Sequence, residues 1–271
     1  MDVIRKPISY VGHLVLGWVG LLGGLGWMLF DTVVASRRLI GTGRPTRMAW
    51  TNVTAQMVRV GVRSIPIVSL VVFCIGMILA MQMSPVLESY GASAQVADII
   101  AIAMFRELGP LVGAIVLTGF AGASIAAEIG TMVVSEEIEA MEAHAIDPVR
   151  YLVVPRVLAA SIMTVCLAVI ANIMGVLGGM FAATTIVGSM DSALYLNRSF
   201  DAITMHDFTT GLIKAGVFGA IIALLACYLG MNVKNGAEGV GNATTRTVVL
   251  TIVALTIVDL MFTAFFFSLD L

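Results

Sequence analysis

Four charged residues stand against or inside long apolar runs, and they are where this 271-residue chain has chemistry to offer. Arg106 and Glu107 come together in MFRELGP, immediately before 20 residues without a charge. Lys214 sits at the start of another apolar run, and Asp259 lies in the middle of a third. Charges at membrane depth are costly and face a cavity, a partner or water. For Arg106 and Glu107 two readings stand side by side: the polar floor or gate of a substrate pocket, or an interface anchor whose head snorkels to the outer surface. For Lys214 anchoring is the expected role. Asp259, in mid-span, is the harder of the two to dismiss as structural; packing against a Lys or Arg elsewhere is the structural alternative.

Other chemistries find no residues. His13, His144 and His206 are scattered, without the HExxH spacing of a metal site. Cys74, Cys166 and Cys227 sit in apolar runs without a CxxC pair, as small buried hydrophobes do. Of the three lysines, Lys6, Lys214 and Lys234, none belongs to a GxxxxGK[ST] loop. There is no nucleophile–base pair. The chain is therefore expected to be no enzyme and to hold no cofactor; if nucleotide energy is used, a partner binds the ATP.

The elements that carry these residues are apolar. Hydrophobic residues make up 59% of the chain, charged residues 12%, and the mean hydropathy is +1.01. A soluble domain has about 25% charged residues, so this is an all-α polytopic membrane protein. Five charge-poor runs predict spanning helices at about 64–87, 108–127, 157–190, 211–233 and 247–269. The third holds 34 residues, about 51 Å as helix, so it must be tilted, broken or extended beyond the bilayer. Gly175 and Gly179 give it a GxxxG.

The one long polar interruption is Glu128–Arg156, with six acidic residues and two arginines. Ser135 reads as an N-cap followed by acids in the first turn. Val134, Ile138, Met141 and Ala145 fall on one face, and Asp147-Pro148 is expected to stop the helix. The result is a short amphipathic helix at about 135–145. An exposed acidic face is its bland explanation; docking against a partner's basic groove is the functional one.

Basic residues set the orientation. The segment 1–64 holds eight, the acidic loop two, and Lys234 with Arg246 two more, against Arg106 and Arg198 on the other side. Twelve against two predicts a cytoplasmic N-terminus and acidic loop and a C-terminus outside. Residues 37–63 hold six arginines, which beside a span reflect this bias rather than nucleic-acid binding. Pro7–Phe30 is uncharged but glycine-rich and basic on both flanks, so it is expected to lie in the interface or re-enter rather than span. The chain thus divides into 1–49, an interfacial helix with a basic juxtamembrane segment, and 50–271, the membrane domain.

The stretch AEIGTMVVSEEIEAMEAHAIDPVRYLVVPRVLA closely resembles the signature of the MlaE/YrbE family, the permease subunits of MCE-type ABC transporters. FRELGPLV and NGAEGVGNATTRTVV resemble further motifs of that family, and the similarity runs from about residue 50 to the C-terminus. The resemblance implies a bacterial inner-membrane permease of five spans, acting as a homodimer. It implies a coupling helix, with Ser135, Glu136, Glu137, Ile138, Glu139, Met141 and Glu142, seated in a cytoplasmic ABC ATPase. A periplasmic ring of MCE-domain protein and a STAS-domain protein are the further partners. Phospholipid is the implied substrate, exchanged between inner membrane and MCE tunnel to maintain outer-membrane lipid asymmetry. Its pocket would draw on Arg106, Glu107, Met81, Leu108 and Arg246.

From the residues themselves two other functions stay open. An ion-coupled transporter would use Glu107, Lys214 or Asp259 as relay groups. A non-transporting anchor of a periplasmic complex would need none of them.

Overall fold

The computed structural model describes the backbone of residues 2–41 and 47–269, and side chains at 16, 17, 19–37 and 50–269. The side chains of Arg5, Lys6, His13, Arg38, Arg44 and Arg47 lie outside the described residues. The described elements are helical: α1 (Asp2–Gly41), α2 (Arg47–Val60), α3 (Ile65–Ser89), α4 (Gln95–Ala103), α5 (Gly109–Leu117), α6 (Ala123–Val134), α7 (Glu137–Ala143), α8 (Val154–Phe181), α9 (Ser192–Ala202), α10 (Met205–Met231) and α11 (Gly236–Ser268).

Several of these merge into longer rods. A 3₁₀ turn, Val62–Ser64, joins α2 to α3. Single π turns at Met104–Leu108 and Thr118–Gly122 join α4, α5 and α6, and others at Val149–Val153 and Ala182–Ile186 flank α8. Among the described residues six stretches are long and apolar enough to cross a membrane: Val19–Arg37, Trp50–Ser89, Gln95–Val134, Val149–Ile186, Met205–Met231 and Gly236–Ser268. The two 40-residue rods are about 60 Å long, twice the hydrocarbon thickness, so they project beyond it. The charge-free runs mark only their inner parts.

Rod α8 occupies the centre, packed between α3 and α10, with α2 and α5 against it as well; α11 lies against α6 and α10. The α3/α8 seam is made by small residues. A Cβ on Gly76 would collide with the Gly175 carbonyl, and one on Gly178 with the backbone of Phe73. Gly76 and Gly178 therefore bring two backbones together, where dispersion between closely fitted helices replaces the solvent-driven term that lipid cannot supply; the GxxxG pair, Gly175 and Gly179, instead leaves room for Met104 and Tyr195.

The third apolar run is resolved by breaking. Helix ends in the π turn at Ala182–Ile186, and Gly188 turns the chain at φ 68°. The polar stretch after it, Asp191–Asp207, contains a helix, α9, capped where the Asp191 carboxylate accepts from the Ala193 N–H at 3.2 Å. Its Tyr195 and Ser199 are buried. The bundle thus has an α9 end and an α7 end.

The segment 7–30 lies within one uninterrupted helix of 40 residues, so no re-entrant turn forms. Gly24, Met28 and Thr32, spaced i, i+4, i+8, mark its inward face: Gly24 lies against the Tyr228 ring near the close of α10, and Met28 and Thr32 are buried. Its other neighbour is the π turn at Val149–Val153, so it meets the bundle near the α7 end.

Candidate functional site

The π turn Met104–Leu108 positions the first candidates. A π turn inserts one residue into a helix and re-aims its neighbours. Arg106 and Glu107, adjacent in sequence, thereby engage two different levels of α10. The Arg106 Nε donates to Asp207 Oδ1 at 2.6 Å. Asp207 is buried and also closes a capping box with Thr204: its Oδ2 accepts from the Thr204 N–H at 3.0 Å and hydroxyl at 2.7 Å, while its own N–H reaches the Thr204 Oγ1 at 3.3 Å.

Two turns further along α10, Lys214 is only 1% exposed. Its ammonium donates to Glu107 Oε2 at 2.6 Å and to the Thr263 hydroxyl at 2.9 Å, and faces Asp259 Oδ1 at 3.0 Å. The Thr263 hydroxyl lies 2.9 Å from both Glu107 Oε1 and the Asp259 carbonyl, so its one proton serves either. Lys214 is therefore no snorkelling anchor. It is the hub that ties the π turn to α11, hydrogen-bonded to Glu107 and Thr263 and ion-paired with Asp259, whose Oδ1 lacks an aligned hydrogen bond. Buried charge survives only when paired and hydrogen-bonded in this way.

Beside the cluster a cleft of about 100 Å³ is lined by Arg106, Glu107, Thr210, Lys214, Thr263, Phe266 and Phe267. That volume accommodates a small polar group and no long chain. Phe262, Phe265 and Phe266 form an aromatic group along α11, and Phe267 is 83% exposed beside the cleft. A polar recess thus opens onto an apolar helix face. The described residues hold no group of His, Cys, Asp and Glu suited to a metal.

The other residues expected at this pocket are placed elsewhere. Leu108 is half-buried and packs into the core behind the π turn. Met81 is 37% exposed on α3, outside the cleft lining. Arg246 is exposed on the opening third of α11, thirteen residues and about 20 Å from Asp259, toward the α7 end. Asp207, Thr210 and Thr263 escaped the sequence reading, although TxxD at 204–207 is a capping-box spacing that announces Asp207.

At the α7 end the acidic helix is shorter than expected, Glu137–Ala143. Ser135 is not its N-cap. The hydroxyl closes α6 by donating to the Thr131 carbonyl at 2.8 Å, and Glu136 precedes α7 in the left-handed region at φ 60°. Nor does Asp147-Pro148 stop the helix. Ala145, at φ 58°, ends it, with the Ile146 N–H bonded to the Met141 carbonyl at 2.9 Å. Asp147 instead starts the next element, its Oδ1 accepting from the Val149 N–H at 2.9 Å. Ile138 is buried and Met141 half-buried, while Glu136, Glu137, Glu139 and Glu142 all face outward.

A second ion network holds this end together. Glu128 on α6 accepts from Arg59 on α2 at 2.8 Å and from Arg156 on α8 at 3.2 Å. Arg156 is 4% exposed and also donates to the Leu152 carbonyl at 2.9 Å.

Comparison with known proteins identifies the family. A model of the family described as "Permease MlaE" matches residues 53–265. A Haemophilus influenzae protein named intermembrane phospholipid transport system permease protein MlaE is 31% identical over 98% of this chain and 99% of its own length. A probable ABC transporter permease protein of Rickettsia felis is 38% identical over 79% of this chain and 82% of its own. The Arabidopsis thaliana protein TRIGALACTOSYLDIACYLGLYCEROL 1, chloroplastic, is 31% identical over 82% of this chain and 63% of its own. A match over most of the chain, carried by the span that holds both polar networks and α7, shows that it belongs to the MlaE permease family.

Proposed function

We propose that the chain is the permease subunit of an ATP-driven transporter that moves phospholipid between the inner membrane and a periplasmic MCE protein. The observation that carries this is the Arg106–Glu107–Lys214–Thr263 recess opening on the phenylalanines of α11. A phospholipid headgroup would sit in the recess, with its acyl chains along the exposed α11 face. The Haemophilus relative's name supports the substrate class.

In this reading a separate cytoplasmic ABC ATPase hydrolyses ATP and receives α7. The exposed glutamates of α7 would align the two proteins by charge, and Ile138 would fix the helix to its own bundle. The apolar α11 face suits a homodimer whose two recesses meet; an MCE ring and a STAS-domain protein complete the assembly. Helix α1 lies in the cytoplasmic interface, the C-terminus is periplasmic, and no nucleic acid takes part.

The test is co-expression with the neighbouring ATPase, reconstitution in vesicles, and measurement of ATP-dependent transfer of a fluorescent phospholipid to the MCE partner. Glu136→Lys/Glu137→Lys should release the ATPase and abolish stimulated hydrolysis. Full hydrolysis and transfer by that variant would remove α7 from the coupling role.

A further inference from the structure

The α7 end carries a charge imbalance at a defined depth. Three uncharged runs end there at the same level: Arg63 precedes Ser64, Glu128 follows Ala127, and Arg156 precedes Val157. Arg59, Glu128 and Arg156 are joined by the two ion pairs described above. The network therefore marks the hydrocarbon boundary, the level at which lipid phosphates lie. Glu128 is shared by two guanidiniums, and Arg63 has no ion-pair partner among the described residues. Three cations meet one carboxylate, an excess of two positive charges.

Two of the three cations, Arg59 and Arg63, face a cavity. Gln56, Arg59 and Arg63 succeed one another at helical spacing along α2 and the 3₁₀ turn, and with Phe120 and Ser124 they line a recess of about 100 Å³. Phe120 belongs to the π turn Thr118–Gly122 and is 42% exposed. The recess is thus cationic toward the α7 end and apolar one turn deeper. The Gln56 Oε1 is buried without a hydrogen-bond partner, an acceptor left for a donor from outside the chain.

We infer that this recess binds the headgroup of a second phospholipid, drawn from the leaflet at the α7 end. Its phosphate lies between Arg59 and Arg63, its ammonium or glycerol hydroxyl donates to Gln56, and an acyl chain runs along Phe120. The inference rests on the proposed transport of phospholipid and makes the recess its loading station, separate from the Lys214 cluster at the α9 end. Arg59 reaches a phosphate while keeping Glu128, because a guanidinium presents five donors.

The test places p-benzoylphenylalanine at Phe120 in the full-length chain, held in nanodiscs of phosphatidylethanolamine and phosphatidylglycerol. Photo-adducts with phospholipid are measured by mass spectrometry in the parent, Arg63→Ala and Arg63→Lys. Arg63 is exposed and unpaired, so neither change threatens folding. Adduct yield should fall about tenfold in Arg63→Ala, the loss of one charge-assisted contact, and return in Arg63→Lys. The same photolabel at Ile162, exposed on α8, should ignore both changes. Equal yields in all three proteins would make Phe120 an ordinary lipid-facing residue and overturn the inference. Displacement of the adduct by inorganic phosphate in the buffer would instead show a site for free anions. Because cross-linking needs no ATPase, its failure alongside intact lipid transfer sinks only the loading station. Successful charge-dependent adducts without transfer would sink the transport reading.

Discussion

Replacing Lys214 with Met isolates the role of the buried cluster. Among the described residues the ammonium is the one cation paired with Glu107 and Asp259, whose side chains are 35% and 14% exposed. Removing it leaves two carboxylates opposed across a space of nearly unchanged volume. Breaking a buried pair from one side costs about 3–5 kcal/mol. The lower figure applies, since Glu107 retains some access to the cleft. At about 2–4 °C per kcal/mol for a chain of this size class, the unfolding midpoint should fall by about 6–12 °C. The double variant Lys214→Met/Glu107→Gln removes one of the two opposed carboxylates and should regain part of that loss; Asp259 still lacks its cation, so recovery stays incomplete. The measurement is thermal unfolding of the purified full chain in detergent, by circular dichroism, for the parent, both single variants and the double. A midpoint for Lys214→Met within about 1 °C of the parent would refute the buried-hub reasoning. So would a double variant showing the plain sum of the two single losses.

Other consequences can be checked in the same preparation. Gly178→Val drives a side chain into the Phe73 backbone at the α3/α8 seam, where nothing can yield. It should lower stability by about 3 kcal/mol or prevent insertion, read as loss of folded protein. Asp207→Asn weakens both the α10 cap and the Arg106 pair, and should cost about 1–2 kcal/mol by the same unfolding assay. Burial in α9 pushes the Tyr195 phenol up from its ordinary value near 10. The folded state holds this proton more tightly than the unfolded chain, so the stabilisation is complete below about pH 10 and is lost as pH rises above it. Ultraviolet titration should show a late-ionising phenol that Tyr195→Phe removes, and the same substitution should flatten the alkaline loss of stability.

The sequence exposed the rods more readily than their limits. Charge-free runs locate the lipid-facing middle of each rod, but Trp50–Val60, Gln95–Met104 and Gly236–Arg246 are helical beyond it. Hydropathy does not register helix that leaves the bilayer. Helix α9 stayed hidden in a polar stretch because its burial depends on tertiary packing, with Tyr195 against Gly179 of α8 and the helix lying on α4, far upstream in sequence. The limits of α7 were misjudged because Ser135 and Asp147 each serve the neighbouring element, a choice set by backbone geometry at Glu136 and Ala145. For the site, Arg106, Glu107, Lys214 and Asp259 all drew notice by being charged among apolar residues. Their pairing was out of reach, since Lys214 meets a partner 107 positions away. Arg246 was drawn to the pocket by the family resemblance, and the rise of a helix puts it at the other end.

The contrast between the glycine seam and the Lys214 hub has a mechanical consequence. Helices α3 and α8 are welded backbone to backbone, and parting them would strand surfaces that fit nothing else. Helix α11 is held differently: 11% of its most apolar stretch is buried, against 44% for the α8 rod, and near its far end it is fastened by the tips of Lys214, Asp259 and Thr263. A side-chain latch releases by rotating a few torsions, and it offers its freed charges to whatever enters. The molecule therefore joins a chassis built on α8 to a helix, α11, that rests on α6 and α10 and whose catch near its far end is the same set of atoms that lines the recess.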